Sequence, residues 1–174
     1  YITGITKDTS QNLYVADSGN YRIRKIDTSG NVSTIAGNSF SGYLDAQGTA
    51  AKFTDPKGIT IDLSGNLYIA DTGNYRIRKI DTSGNVTTVA GDGTNGYVDA
   101  QGTTAKFSEP REITIDSAGN LYVADSENYR IRKIDTSGNV TTLAGDGTGG
   151  YLDAQGILAK FDRPQGINID LTGN

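Results

Sequence analysis

One feature limits this chain more than any other: it repeats. Leu13 to Val32 reads LYVADSGNYRIRKIDTSGNV, and the string returns from Leu67 as LYIADTGNYRIRKIDTSGNV and from Leu121 as LYVADSENYRIRKIDTSGNV, a period of 54 residues. A fixed period of this size marks one supersecondary unit copied and stacked. The core of such a chain lies between neighbouring units, because no unit can bury its apolar faces alone.

Within a period the apolar residues fall into four short runs. In the second copy these are 58–62 (GITID), 67–71 (LYIAD), 75–81 (YRIRKID) and 86–90 (VTTVA), here strands a to d. Each is too short for a typical helix and rich in Ile, Val, Tyr and Thr, so each reads as a strand. The a–b and c–d links share the grammar D-x-[S/T/A]-G-N, at Asp27, Asp62, Asp81, Asp116, Asp135 and Asp170. The Asp can accept from amides further round such a turn, and the Gly can take positive φ. Short links force antiparallel neighbours. The b–c link is shorter still, Asp71-Thr72-Gly73-Asn74. Two links depart: Gln11 stands where others have Gly, and Glu127 stands where Gly19 and Gly73 do. If both positions need positive φ, each departure costs on the order of 1 kcal/mol.

Strands b and c carry apolar residues on both faces, Leu67 and Ile69 against Tyr68 and Ala70. A sheet apolar on both faces needs cover on both, which a four-stranded blade between two similar blades receives. The d–a link is long, from Gly91 to Pro110 in the second copy, and one helical turn is expected near 99–107. Phe53, Phe107 and Phe161 recur there, each three residues before a Pro, and read as anchors filling gaps between blades.

The combined pattern resembles the NHL-repeat family of β-propellers: P-x-G-I-x-I-D, then G-N-L-Y-[VI]-A-D, N-Y-R-I-R-K-I-D and V-T-T-[VL]-A-G, in all three copies. The first copy departs at Ile2-Thr3-Gly4 and Lys7, and the third has Glu112 in place of Gly. The resemblance implies an all-β toroid of four-stranded antiparallel blades, usually six, with strand a lining a channel. It implies a binding scaffold for proteins or RNA, with lyases and hydrolases among the relatives. The repeats run over 4–57, 58–111 and 112–165, and 166–174 reads as a surplus innermost strand. Three blades are half of a six-bladed ring, so either two chains pair or the chain is a piece of a longer array with further blades.

The chemistry open to the chain is narrow. His and Cys are both absent, which removes the Ser-His-Asp arrangement, thiolate sites and the principal zinc ligands. No apolar run is long enough to cross a bilayer as a helix. The net charge of −4 argues against nucleic acid as the main partner.

Three groups of residues remain as candidates. The loop motif Tyr-x-Asp-Ala-Gln-Gly occurs at Tyr43, Tyr97 and Tyr151, with Asp45, Asp99 and Asp153. It lies on the ring face that also holds the copy-to-copy variation at 38–42, 92–96 and 146–150, where variable loops on a rigid scaffold would meet a protein partner. No cofactor is expected, though the oxygen donors Asp92, Asp99, Asp146 and Asp153 offer Ca²⁺ weak ligands; otherwise the loop Asp caps a helical turn. Arg22, Arg24 and Lys25, with their counterparts Arg76, Arg78, Lys79 and Arg130, Arg132, Lys133, form a basic stripe. They are expected to pair with Asp17, Asp71 and Asp125 across the b–c hairpin, with RNA phosphate as the other reading. The leading expectation is a non-enzymatic scaffold for protein binding or self-assembly; a metal-dependent lyase or hydrolase with a carboxylate site at the channel is the alternative.

Overall fold

The structure, a computed structural model, describes residues 1–170. Three antiparallel sheets follow one another along the chain. The first is β1 (Gly4–Lys7), β2 (Leu13–Asp17), β3 (Arg22–Ile26) and β4 (Val32–Ala36). The second is β5 (Pro56–Ile61), β6 (Leu67–Asp71), β7 (Arg76–Ile80) and β8 (Val86–Ala90). The third is β9 (Pro110–Ile115), β10 (Leu121–Asp125), β11 (Arg130–Ile134) and β12 (Val140–Ala144). Sheet order equals chain order, and the described residues contain no α-helix. The fold is the expected all-β one, built of propeller blades.

The turns explain why the ladders form. In the a–b turn of the second blade, Asp62 Oδ1 accepts from the amides of Ser64 (2.9 Å) and Asn66 (2.8 Å), and Gly65 takes φ +88°. Gln11 stands at φ +69° in the matching turn, a left-handed conformation costly for a side chain.

The b–c turn differs from expectation. Thr72–Asn74 form a 3₁₀ turn, and the left-handed residue is Tyr75 at φ +54°, matched by Tyr21 and Tyr129. Glu127 carries no positive φ and no backbone strain. Gly73 is constrained by space: a Cβ there would stand 2.5 Å from Thr54 Cγ2 and 2.9 Å from its carbonyl oxygen. The third copy has the smaller Ser108 facing Glu127, whose amide donates to the Ser108 carbonyl (3.1 Å).

Alternation along each strand sorts side chains between two cores. Leu67, Ile69, Ile80 and Val86 of the second blade face Ala16, Ile23 and Ala36 of the first. Ala70, Ile77 and Ala90 face Ile113, Val123 and Ile134 of the third. A bulge between Ile77 and Arg78 accompanies the switch of face in β7. Phe53 and Phe107, fully buried, fill these two interfaces, each worth roughly 1.5–3 kcal/mol of transfer free energy. Phe161 has no fourth blade against it and stays half-buried.

The innermost strands β1, β5 and β9 run side by side. A Cβ on Gly58 would stand 2.7 Å from the Arg111 carbonyl oxygen, and Glu112 Oε1 occupies the space over this glycine. The expected strand over 166–174 takes no strand conformation at 166–170, since no strand b is there to pair with it, and 171–174 lie outside the described residues.

Candidate functional site

The long d–a loops reach forward. Residues 38–55 leave the first blade and grip the second, and 92–109 do the same between the second and third. The grip centres on an arginine of strand c. Arg78 has five N–H donors, and five bonds are drawn to it. Nη1 donates to Asp71 Oδ2 (2.7 Å) and the Lys52 carbonyl (3.1 Å); Nε and Nη2 donate to Asp45 Oδ1 (3.0 and 2.6 Å); Nη2 also donates to the Leu44 carbonyl (3.0 Å). Arg132 repeats the set with Asp125, Lys106, Asp99 and Val98. Both guanidinium groups are 0% exposed.

The loop tyrosine covers the grip. The Arg76 guanidinium lies 3.8 Å from the Tyr43 ring centroid and that of Arg130 lies 3.9 Å from Tyr97, within cation–π range. Tyr43 Oη reaches Thr88 Oγ1 (3.0 Å), and Asp45 Oδ2 accepts from the Thr88 amide (3.0 Å). The Ala46 carbonyl takes the Val86 amide (3.0 Å), so the loop adds itself to the outer edge of the next blade.

Burial drives the Asp71 carboxyl up, against Arg78, Asn74 and the Thr54 amide, to about 6, so it is ionised at neutral pH. Asp125 moves the same way for the same reason. Burial also acts to raise Asp99, but Arg132 and Thr142 outweigh it and hold its carboxyl below the ordinary range.

Three expectations change on this geometry. The partner of Asp71 and Asp125 is the second arginine of each pair, Arg78 and Arg132, because the long side chain reaches diagonally along the strand. Arg76 and Arg130 instead donate to the Asp92 and Asp146 carbonyls (2.7 and 2.9 Å), and Arg22 donates to Ser39 Oγ. In the first blade Asp17 pairs with Arg24 at 3.2 Å. The loop Asp caps no helical turn: the 3₁₀ turns at Gly48–Ala50 and Gly102–Thr104 begin after Gln47 and Gln101 and have no side-chain cap. A continuous basic stripe is not presented to solvent, since Arg78 and Arg132 are sealed.

The carboxylates offered for Ca²⁺ do not converge. Asp99 answers Arg132; Asp92 pairs with Lys106 (3.4 Å) and Asp146 with Lys160 (3.6 Å). Asp153 is bound only to its neighbour Tyr151 (2.7 Å) among the described residues. Carboxylates already answering cations form a poor cage for another one, and no group of three metal-binding side chains exists among the described residues.

Tyr43, Tyr97, Asp45 and Asp99 are therefore clasp residues between blades. In the third copy the same device is open: Tyr151 is 84% exposed, against 44% and 41% for Tyr43 and Tyr97. The role of Arg78 and Arg132 escaped the sequence because the ion pair to Asp45 spans 33 residues and crosses copies. A 54-residue period records that Asp and Arg recur together without recording which copy meets which.

The model of a teneurin NHL domain matches residues 45–103, and that of an NHL repeat matches residues 107–134. Among curated proteins the chain is 35% identical over 132 residues to Protein SUPPRESSOR OF QUENCHING 1, chloroplastic, of Arabidopsis thaliana, covering 70% of this chain and 12% of that protein. It is 40% identical over 100 residues to NHL repeat-containing protein 2 of Gallus gallus, covering 56% of this chain and 14% of that one. A solved structure of a protein of unknown function from Bacteroides thetaiotaomicron superposes with TM-score 0.77 at 26% identity, over 94% of this chain and 40% of that one. The chain thus spans about one-seventh or less of these two curated relatives.

Proposed function

We propose a binding role for this chain, which belongs to the NHL-repeat β-propeller family: it is a non-enzymatic scaffold whose d–a loops hold protein surfaces. The observation that carries this reading is the clasp. Twice it grips a β-strand of a neighbouring blade through a stacked tyrosine, a buried arginine and added edge bonds, and in the third copy Tyr151 and Asp153 are exposed. A device that recognises a folded strand by charge, ring face and backbone is a protein-recognition device. Asp92, Asp99 and Asp146 each answer a cation of this chain, and Asp153 lies in no group of three metal-binding side chains among the described residues, which gives a metal-dependent reaction little support.

Two measurements on the intact chain test it. Photo-cross-linking from a benzophenone side chain placed at position 151 should give intermolecular links that map to the 146–162 loop. Titration with Ca²⁺ should leave the melting temperature unchanged. Saturable Ca²⁺ binding lost in Asp153→Asn, or links absent from this loop, would overturn the reading.

A further inference from the structure

We propose that Glu112 anchors a small-molecule site beside the innermost strands, and that the site takes a primary alkylammonium ion. It lies on β5 and β9, apart from the d–a loops, so it stands or falls separately from the protein-binding reading.

Glu112 is a departure that the fold does not require. Gly4, Gly58 and Gly166 stand at its place in the period. The second blade packs on the first with Gly58 there, and no carboxylate is needed for that contact. In the third blade the Glu112 side chain instead folds back over Gly58, into space that a Cβ at Gly58 would close to 2.7 Å from Oε1. Oε1 accepts from the Ile113 amide (3.1 Å), and the carboxylate also takes the Ile59 amide. β5 and β9 are edge strands of their sheets, so one side chain answers an amide on each of two blades. Those two bonds are half of the roughly four that a carboxylate can accept.

No cation answers the charge among the described residues. Lys57 and Arg111 share a cavity wall with Glu112, but both are already taken. Lys57 Nζ pairs with Asp55 Oδ2 (3.1 Å), and Arg111 Nη2 pairs with Glu109 Oε2 (2.8 Å). Burial pushes the Glu112 carboxyl up, and only the Ile113 and Ile59 amides act against it. A cation brought to this group would offset a cost that the charged form now bears.

The space beside Glu112 is of ligand size. The cavity measures about 600 Å³, within the range of small-molecule sites. Thr60 and Thr114 line it at matching places on β5 and β9, and neither hydroxyl has a hydrogen-bond partner among the described residues. One carboxylate and two free hydroxyls suit a group with three N–H donors and a single positive charge. They do not suit Ca²⁺, which takes six to eight oxygens, and no group of three metal-binding side chains exists among the described residues.

The test is amide NMR of the intact chain titrated with butylammonium chloride, with butanol and calcium chloride as controls at equal ionic strength. Butylammonium should shift the Ile59, Ile113 and Thr114 amides saturably, and neither control should. Glu112→Gln keeps the size of the side chain and an oxygen for the two amides, and should weaken binding by about 10-fold or more, the least expected on losing a hydrogen bond to a charged group. Glu112→Gly restores the residue of the other copies, so its fold should be unchanged and its saturable shifts absent. No saturable shift in the unsubstituted chain, equal shifts with butanol or Ca²⁺, or binding that survives both substitutions would overturn the site. None of these results bears on the cross-links expected from the 146–162 loop, so the two readings fail separately.

Discussion

Arg78 Nη1 and Asp71 Oδ2 stand 2.7 Å apart with both side chains fully buried, and Arg132 and Asp125 reproduce the pair at the same distance. Each pair sits where one blade, its own hairpin and the loop of the preceding copy meet. A buried ion pair rarely adds net stability over apolar residues, yet breaking one leaves a stranded charge. The pair therefore fixes how one blade sits on the next more than it adds to the cohesion of the two.

Arg78→Ala should cost about 3–5 kcal/mol, since Asp71 would lose its buried cation and the Lys52 carbonyl its arginine donor. The double change Asp71→Leu with Arg78→Met should be less destabilised than Arg78→Ala alone. Urea unfolding of the three variants decides it; a loss under about 1 kcal/mol for Arg78→Ala would contradict the buried-charge argument.

The response to pH has two parts of opposite sign. The Asp71 carboxyl is pushed up from the ordinary 3.8 to about 6, so the folded state binds this proton more readily than the unfolded one. Its contribution grows as pH falls through 6 towards 3.8. The turn carboxyls of Asp27, Asp81 and Asp135 are held low by the side chains and amides of Asn31, Asn85 and Asn139. Their contribution is complete above 3.8 and is lost as pH falls through the depressed values. Urea midpoints should hold or rise from pH 7 towards 3.8 and then fall, and Asp71→Asn should remove part of the rise. A steady decline from pH 7 would show that the buried carboxyl does not govern the upper range.

Phe53→Ala should cost about 3–5 kcal/mol, because the ring is fully buried between two blades that cannot close over the void. Phe161→Ala should cost much less in the single chain, since that ring has one blade to pack on. Equal losses in thermal unfolding would show that Phe161 is already buried, by a partner or otherwise.

Gly73→Ala should destabilise by about 1–3 kcal/mol, as its Cβ would press on Thr54 at 2.5 Å. Glu127→Ala, at the matching position, should change stability by no more than about 0.5 kcal/mol, since its ion pair with Arg163 (3.1 Å) is solvent-exposed and its φ is ordinary. Denaturant midpoints that moved alike would contradict the steric account.

The repeating string alone determined a great deal. The period gave the unit, β-forming runs between Asp and Gly turns gave four strands, and apolar residues on both faces of strands b and c required a blade on either side. These are local or periodic properties, written in the order of residues. The clasp was not legible in the same way. Whether Asp71 meets Arg76 or Arg78 depends on how a long side chain reaches across a hairpin, and whether Asp45 meets an arginine of its own copy or the next depends on the path of a loop. Strain was misplaced for the same reason: Gly73 looked conformational, but the packing of Thr54 makes it steric, and the left-handed residue is a tyrosine that no rule of turn composition would select. Tertiary structure alone decided which copies touch, because a period is blind to the difference between a residue and its equivalent one blade away.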